Sequence, residues 1–279
     1  MEITLHEDPA CGWCWAFQPV TTAIEFELLG NPGRRAVKLR RVMGGLSDRP
    51  TVEGSFLART WLRAAEISGM PFRPEIWERH LLRTTHEACR AVTAALPLGP
   101  AATARDLRRI REAFFVEGIP IDSQENLIEL AKAAGLDPEL IRENLANGRA
   151  EFFFDRDLRE ASHFRFGFPT LLIRKHPNDP PVVLHGIVSY SDVLQPLARM
   201  GLAPADRRRF IDRPDDWTRL FAIHPRLTLA EVRLVTGLDG PELEASLARN
   251  GVREEGGFLV RPGSPEHAKK GTGDLIHQN

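Results

Sequence analysis

A chain of 279 residues is longer than one typical domain, so two or three units around a substantial core are expected. With 42% hydrophobic and 27% charged residues, and no apolar run near the ~20 that a bilayer span needs, the composition describes a globular protein and excludes a membrane helix. The formal net charge of −1 argues against nucleic acid as a partner, because phosphate binding leaves a clustered basic excess.

The opening MEITLHEDPACGW has acids where a secretory leader has lysines and lacks an apolar core, so the expected compartment is the cytosol. Thiols stay reduced there, so the three cysteines are not read as a structural disulfide framework. EITLHE reads as a short strand. Cys11 and Cys14 follow at once, and then a helix whose apolar Phe17, Val20, Ile24 and Leu28 recur at helical spacing until Gly30 and the Asn-Pro-Gly beyond it. RAVKLRRVMGG alternates Val37 and Leu39 with basic residues, the period of a second strand.

From Ser47 to His163 the texture is helical, with about five to seven helices and no convincing strand. Asp137 as N-cap, Pro138 at the first helical position and Gly148 as the stop frame one of them. Asp122 followed by Glu125 has the spacing of a capping box, with Leu127, Leu130, Ala131 and Ala134 on one face. GFPTLLIRK and PPVVLHG, joined by the turn signal HPNDP, read as a β-hairpin, and SYSDVLQPLARMG as a closing helix. The order strand, helix, strand, helical block, hairpin, helix makes an α/β thioredoxin fold at 1–46 and 164–201, interrupted by a helical insertion at 47–163.

Residues 202–264 then read as helix, turn, helix and a short wing, a small winged-helix-like module, and 265–279 as a mobile tail. Basic and acidic residues balance across the module, and its second helix carries Glu242 and Glu244, so a protein partner or packing on the catalytic domain is expected of it rather than DNA.

DPACGWCW, the helix proline Pro19 placed 8 residues after Cys11, the GFPT turn and the helical insertion together resemble the DsbA-like family of thioredoxin-fold proteins, most closely its cytoplasmic FrnE-like branch, over about residues 1–201. The resemblance implies a thiol-disulfide oxidoreductase acting on protein thiols and disulfides. It also implies that Pro169 is a cis-proline facing the cysteine pair, in keeping with the near-confinement of cis peptides to X-Pro bonds.

The chemistry can also be argued from the residues. A cysteine heading a helix meets unpaired N–H groups and the positive end of the dipole, which favour a thiolate. Cys11 has that place and is expected to attack, while the more enclosed Cys14 resolves the mixed disulfide. Neither Gly12 nor Trp13 is cationic, so a milder potential than that of periplasmic oxidases is expected.

Thioredoxins carry a buried acid six residues before the first cysteine, where this chain has Leu5; the nearby Glu7 and Asp8 are alternative proton relays, although Asp8 before Pro9 reads more simply as a turn cap. No metal or cofactor is expected. Cys89, His6 and His163 would have to converge with the pair to hold zinc, and Trp15 follows Cys14 where covalent haem needs His.

Cys89 reads as a small buried hydrophobe on an insertion helix. Trp13, Trp15 and Phe168 flank the pair and read equally as packing or as a docking surface for peptide, and Trp13, Phe168 and Pro169 are the expected substrate-binding residues for extended peptide. Two alternatives share the scaffold. One is an adaptor that delivers a transcription factor to a protease; the other is a glutathione-using isomerase or transferase of the kappa class, whose hydroxychromene carboxylate isomerase members usually lack the second cysteine. Retention of Cys14 favours redox exchange over both.

Overall fold

The structure, a computed structural model, describes residues 1–29, 37–163 and 167–262. The helix stop at Gly30 and the Asn-Pro-Gly after it, the boundary at 164 and the tail 265–279 lie outside the described residues. Two compact units emerge, Met1–Phe17 with Val37–Gly201, and Gln18–Ala36 with Leu202–Asn279.

The first unit holds a four-stranded sheet of order β2-β1-β3-β4, made by β1 (Glu2–Glu7), β2 (Lys38–Met43), β3 (Thr170–Arg174) and β4 (Val182–His185). β1 is central, parallel to β2 with Leu5 beside Arg41 and antiparallel to β3 with Leu5 beside Leu171. β3 and β4 form the expected hairpin. Such a strand is covered on both faces, which is why ITLHE is buried throughout and shows no clean alternation.

β1 leads into α1 (Gly12–Ala16), and α2 (Gln18–Leu28) follows after a break at Phe17. Pro19 sits in the first turn of α2, where its missing N–H costs nothing. Between 47 and 163 the described chain forms seven α-helices and no strand: α3 (Gly54–Ser68), α4 (Ile76–Arg79), α5 (His86–Ala94), α6 (Pro100–Glu112), α7 (Gln124–Ala133), α8 (Pro138–Ala146) and α9 (Arg149–Ser162). α10 (Tyr190–Arg199) closes the unit behind a capping box of Ser189 and Asp192.

One cap differs from expectation. Asp122 does not cap α7, because its carboxylate accepts from His80 Nε2 at 2.8 Å and from the Arg83 amide at 2.8 Å. Ser123 takes the N-cap instead and accepts from the Asn126 amide.

An aromatic cluster anchors the insertion beneath α1. Trp61 of α3 packs edge-on to Phe114 and close to Phe115, Phe72 and Trp77, with ring centroids 4.8–5.6 Å apart. A π-helical turn at Ala113–Glu117 follows α6 and closes at Gly118 in the left-handed region. The adjacent Phe114 and Phe115 are both fully buried in it. Each well-formed aromatic pair adds about 0.5–1.5 kcal/mol beyond its buried area.

In the second unit α11 (Pro214–Ile223), β5 (Arg226–Leu227), α12 (Leu229–Thr236), α13 (Gly240–Arg249), β6 (Arg253–Glu255) and β7 (Phe258–Val260) follow the winged-helix order, with a sheet β5-β7-β6. α2 belongs to this unit. Its Thr22 hydroxyl donates to Glu231 at 2.7 Å, its Glu25 meets His224 at 2.8 Å, and its Glu27 accepts from Arg207 at 2.7 Å. Glu242 and Glu244 are exposed on α13.

Candidate active site

Cys11 and Cys14 are placed by a tight turn after β1. Asp8 makes it twice over: its Oδ1 accepts from the Ala10 amide at 2.8 Å and its carbonyl from the Cys11 amide at 3.2 Å. Cys11 is then the N-cap of α1, with extended backbone, and its Sγ accepts from the Cys14 amide at 3.3 Å. That N–H is one of the orphan donors of a helix start, so the sulfur at this place faces a group that supports negative charge. Gly12 is required between them, since a Cβ there would lie 2.9 Å from two ring atoms of Trp61. All three cysteines are free thiols.

Across from the pair stands the turn before β3. The Cys11 thiol donates to the Phe168 carbonyl at 3.6 Å, and the Phe168-Pro169 peptide is cis. The Pro169 carbonyl is occupied by the Gly186 amide at 2.9 Å. Phe168 packs its ring against bare backbone: a Cβ on Gly44 would fall 1.9 Å from its Cζ. Thus Cys11, Cys14, Phe168 and Pro169 come together, with Trp13 on the first turn of α1 and half-buried.

Of the two readings open to Trp15, packing and docking, the structure shows packing. Its ring is fully buried, stacked on Phe115 at 5.8 Å, with Nε1 donating to the Pro71 carbonyl at 2.8 Å and Arg108 over its face at 4.8 Å. One position beyond Cys14, it faces the insertion rather than solvent.

Cys89 is buried as expected, but it is more than a small hydrophobe. Its thiol donates to Asp8 Oδ2 at 3.3 Å, an oxygen that also accepts from the Leu46 amide and the Thr85 hydroxyl. Asp8 therefore ties the Cys11 turn to the 44–46 loop and to the start of α5, which goes beyond capping its own turn. Burial raises the Asp8 carboxyl above its ordinary range against the pull of these donors, and burial with the Asp8 charge pushes the Cys89 thiol well up.

Behind the pair lies a buried ion cluster. Glu7 accepts from Arg41 at 2.5 Å and from Arg111 Nη2 at 2.8 Å, and the same Nη2 donates to the Asp8 carbonyl at 3.2 Å. Burial acts to raise Glu7, yet the two guanidiniums outweigh it and hold the carboxyl below its usual range. For Cys14, burial is the largest influence and pushes the thiol well above its ordinary value; Cys11 adds to the rise, Arg111 opposes it and Glu7 reinforces it.

Sequence reasoning missed Arg111, the Glu7 pairing and the Gly44 platform. The Gly44-Gly45 pair after β2 was a readable signal of close backbone approach. RDLRRIRE around Arg111 reads as a solvated helix face and gave none.

A family model described as thioredoxin matches residues 5–194. A ClpXP adapter protein of Halalkalibacterium halodurans is 28% identical over 154 residues, which cover 52% of this chain and 49% of that protein, about half its length. The ClpXP adapter protein of Shouchella clausii is 27% identical over 256 residues, 88% of this chain and 81% of its own. Among solved structures, the cytosolic disulfide reductase DsbM of Pseudomonas aeruginosa shares the fold with a TM-score of 0.55 at 24% identity, covering 72% of this chain and 95% of that one.

Proposed function

Because this chain belongs to the thioredoxin family, with a DsbA-like fold, we propose that it is a thiol-disulfide oxidoreductase whose Cys11 and Cys14 exchange disulfides with protein substrates. The observation that carries this reading is Cys11 at the head of α1, with the Cys14 amide on its sulfur and the Phe168 carbonyl opposite. In the reductive direction the Cys11 thiolate attacks a client disulfide, forming a Cys11–client S–S bond and releasing one client sulfur as a thiolate that takes up a proton. Cys14 then loses its proton and attacks the Cys11 sulfur. The Cys11–Cys14 bond forms, the second client sulfur leaves, and two electrons have passed to the client. Oxidation of a client runs the same steps backwards.

Trp13, Phe168 and Pro169 are the proposed client contacts. The Phe168 carbonyl bonds only weakly to the thiol at 3.6 Å, so an extended peptide can displace it and pair there as at a sheet edge. The named cytosolic reductase supports the cytosol as the compartment. Turnover, compared as kcat/KM at one pH, should be faster on a scrambled protein than on glutathione disulfide and should disappear in Cys11→Ser. A preference for glutathione disulfide with no effect of Trp13→Ala would refute the peptide groove.

The second reading, a partner-binding platform for a protease, has adapter relatives at low identity, one of them aligned over 88% of the chain, and they do not favour it over exchange. In that reading partner capture survives Cys11→Ser.

A further inference from the structure

We propose that Thr170 and His185 are positioning residues for client capture, forming a directed hydrogen-bond chain that fixes the peptide unit on which an extended client pairs beside Cys11. The inference rests on the oxidoreductase reading. The turn before β3 offers three successive carbonyls. Gly167 accepts from the Thr170 hydroxyl at 2.6 Å, and Pro169 accepts from the Gly186 amide at 2.9 Å. The carbonyl between them, that of Phe168, is the one that meets the Cys11 thiol, at 3.6 Å. The end of β4 thus holds both outer carbonyls: Pro169 through the Gly186 amide, and Gly167 through His185, whose Nδ1 lies 2.9 Å from the Thr170 oxygen.

The direction of the chain follows from the groups in it. A carbonyl only accepts, so the single Thr170 proton goes to Gly167, and the Thr170 oxygen accepts from His185 Nδ1–H. Thr170 and His185 are register partners on β3 and β4, which brings their side chains to one face of the sheet. Thr170 is 2% exposed, whereas His185 is exposed. A satisfied buried hydroxyl is ordinary in a core, and the functional reason here lies in what it holds. Gly167 is exposed and has no Cβ, so its peptide would otherwise rotate over a wide range. Its carbonyl shares a planar trans peptide with the Phe168 amide, and pinning the carbonyl aims that N–H the opposite way. Among the described residues none accepts from the Phe168 amide. The Phe168 N–H and C=O are then the donor and acceptor that a strand-like segment needs, on a residue whose ring is already seated over Gly44. The chain ends at Phe168 rather than at a cysteine sulfur, so it acts on capture of the client and not on the thiol chemistry.

That division supplies the test. Reduced protein is mixed with an increasing excess of a fluorescent peptide disulfide and, in parallel, with hydroxyethyl disulfide, which has no peptide group to pair. The half-saturating concentration reports capture, and the limiting rate reports attack by Cys11. Thr170→Val, which keeps the shape and loses the hydroxyl, should raise the half-saturating peptide concentration about fivefold, the equivalent of one ordinary hydrogen bond, with little change in the limiting rate. The reaction with hydroxyethyl disulfide should slow far less. Thr170→Ser should restore capture. His185→Leu should raise the same concentration, and in the Thr170→Val background it should add nothing, because both residues act through one hydroxyl. Should Thr170→Val fail to fold, the exposed His185 carries the comparison between the two disulfides. Unchanged peptide capture, an equal loss with both disulfides, or additive effects in the double variant overturn the inference. A wild-type protein that reacts with neither disulfide overturns the oxidoreductase reading instead.

Discussion

At the scale of single residues, the charged groups that matter most are those the chain hides. Asp106 on α6 is fully buried, and neither carboxylate oxygen has a hydrogen-bond partner. Burial alone raises its pKa to about 8. The unfolded chain releases this proton near the ordinary carboxyl value, so between roughly pH 4 and 8 the folded state holds one proton more than the unfolded state. Stability contributed by the protonated form is therefore full below about pH 4 and declines by about 1.4 kcal/mol per pH unit up to the folded pKa. Urea melts of wild type and Asp106→Asn should converge at acid pH and separate in favour of the variant toward pH 8; parallel curves would contradict the assignment. Asp106 and Arg111 were illegible in the sequence for one reason. PAATARDLRRIRE looks solvated, and only tertiary packing decides which of its charges go inside. The cysteine pair was legible because its chemistry is written in local spacing.

At the scale of elements, local rules worked where the partners were local. Asp137 with Pro138 opens α8 as its sequence predicts, and the hairpin and α10 fall where turn and cap signals put them. Asp122 lost its cap because His80 and Arg83, distant in sequence, compete for its oxygens. The π-helical turn after α6 escaped because a single wider turn leaves no period to read. The loop after β2 gives an element-level test. Gly44 lies under the Phe168 ring, so Gly44→Ala must displace a side chain that flanks Cys11. Overpacking of this sort costs about 1–3 kcal/mol. The variant should keep its circular dichroism spectrum, lose that much in a urea melt and exchange disulfides more slowly; wild-type exchange would mean that the Phe168 platform does not position the site.

At the scale of the whole molecule, the four-stranded sheet and the helical insertion match the outline read from the sequence, and the C-terminal elements follow the winged-helix order. Less legible was that α2, contiguous with the cysteine helix, groups with the C-terminal segment through Thr22, Glu25 and Glu27, whose partners lie 180 to 209 residues away. No periodicity announces such pairings. They tie α2 to the C-terminal segment within one compact unit. The claim that decides between exchange and partner binding is that Cys11 forms a disulfide with protein clients. Cys14→Ser should trap that intermediate in cells, because the sulfur that resolves it is gone. Non-reducing gels and mass spectrometry should then find several clients linked to Cys11, all released by dithiothreitol and absent when Cys11 is also replaced. An empty trap, alongside a stable protein complex that persists in Cys11→Ser, would contradict the account.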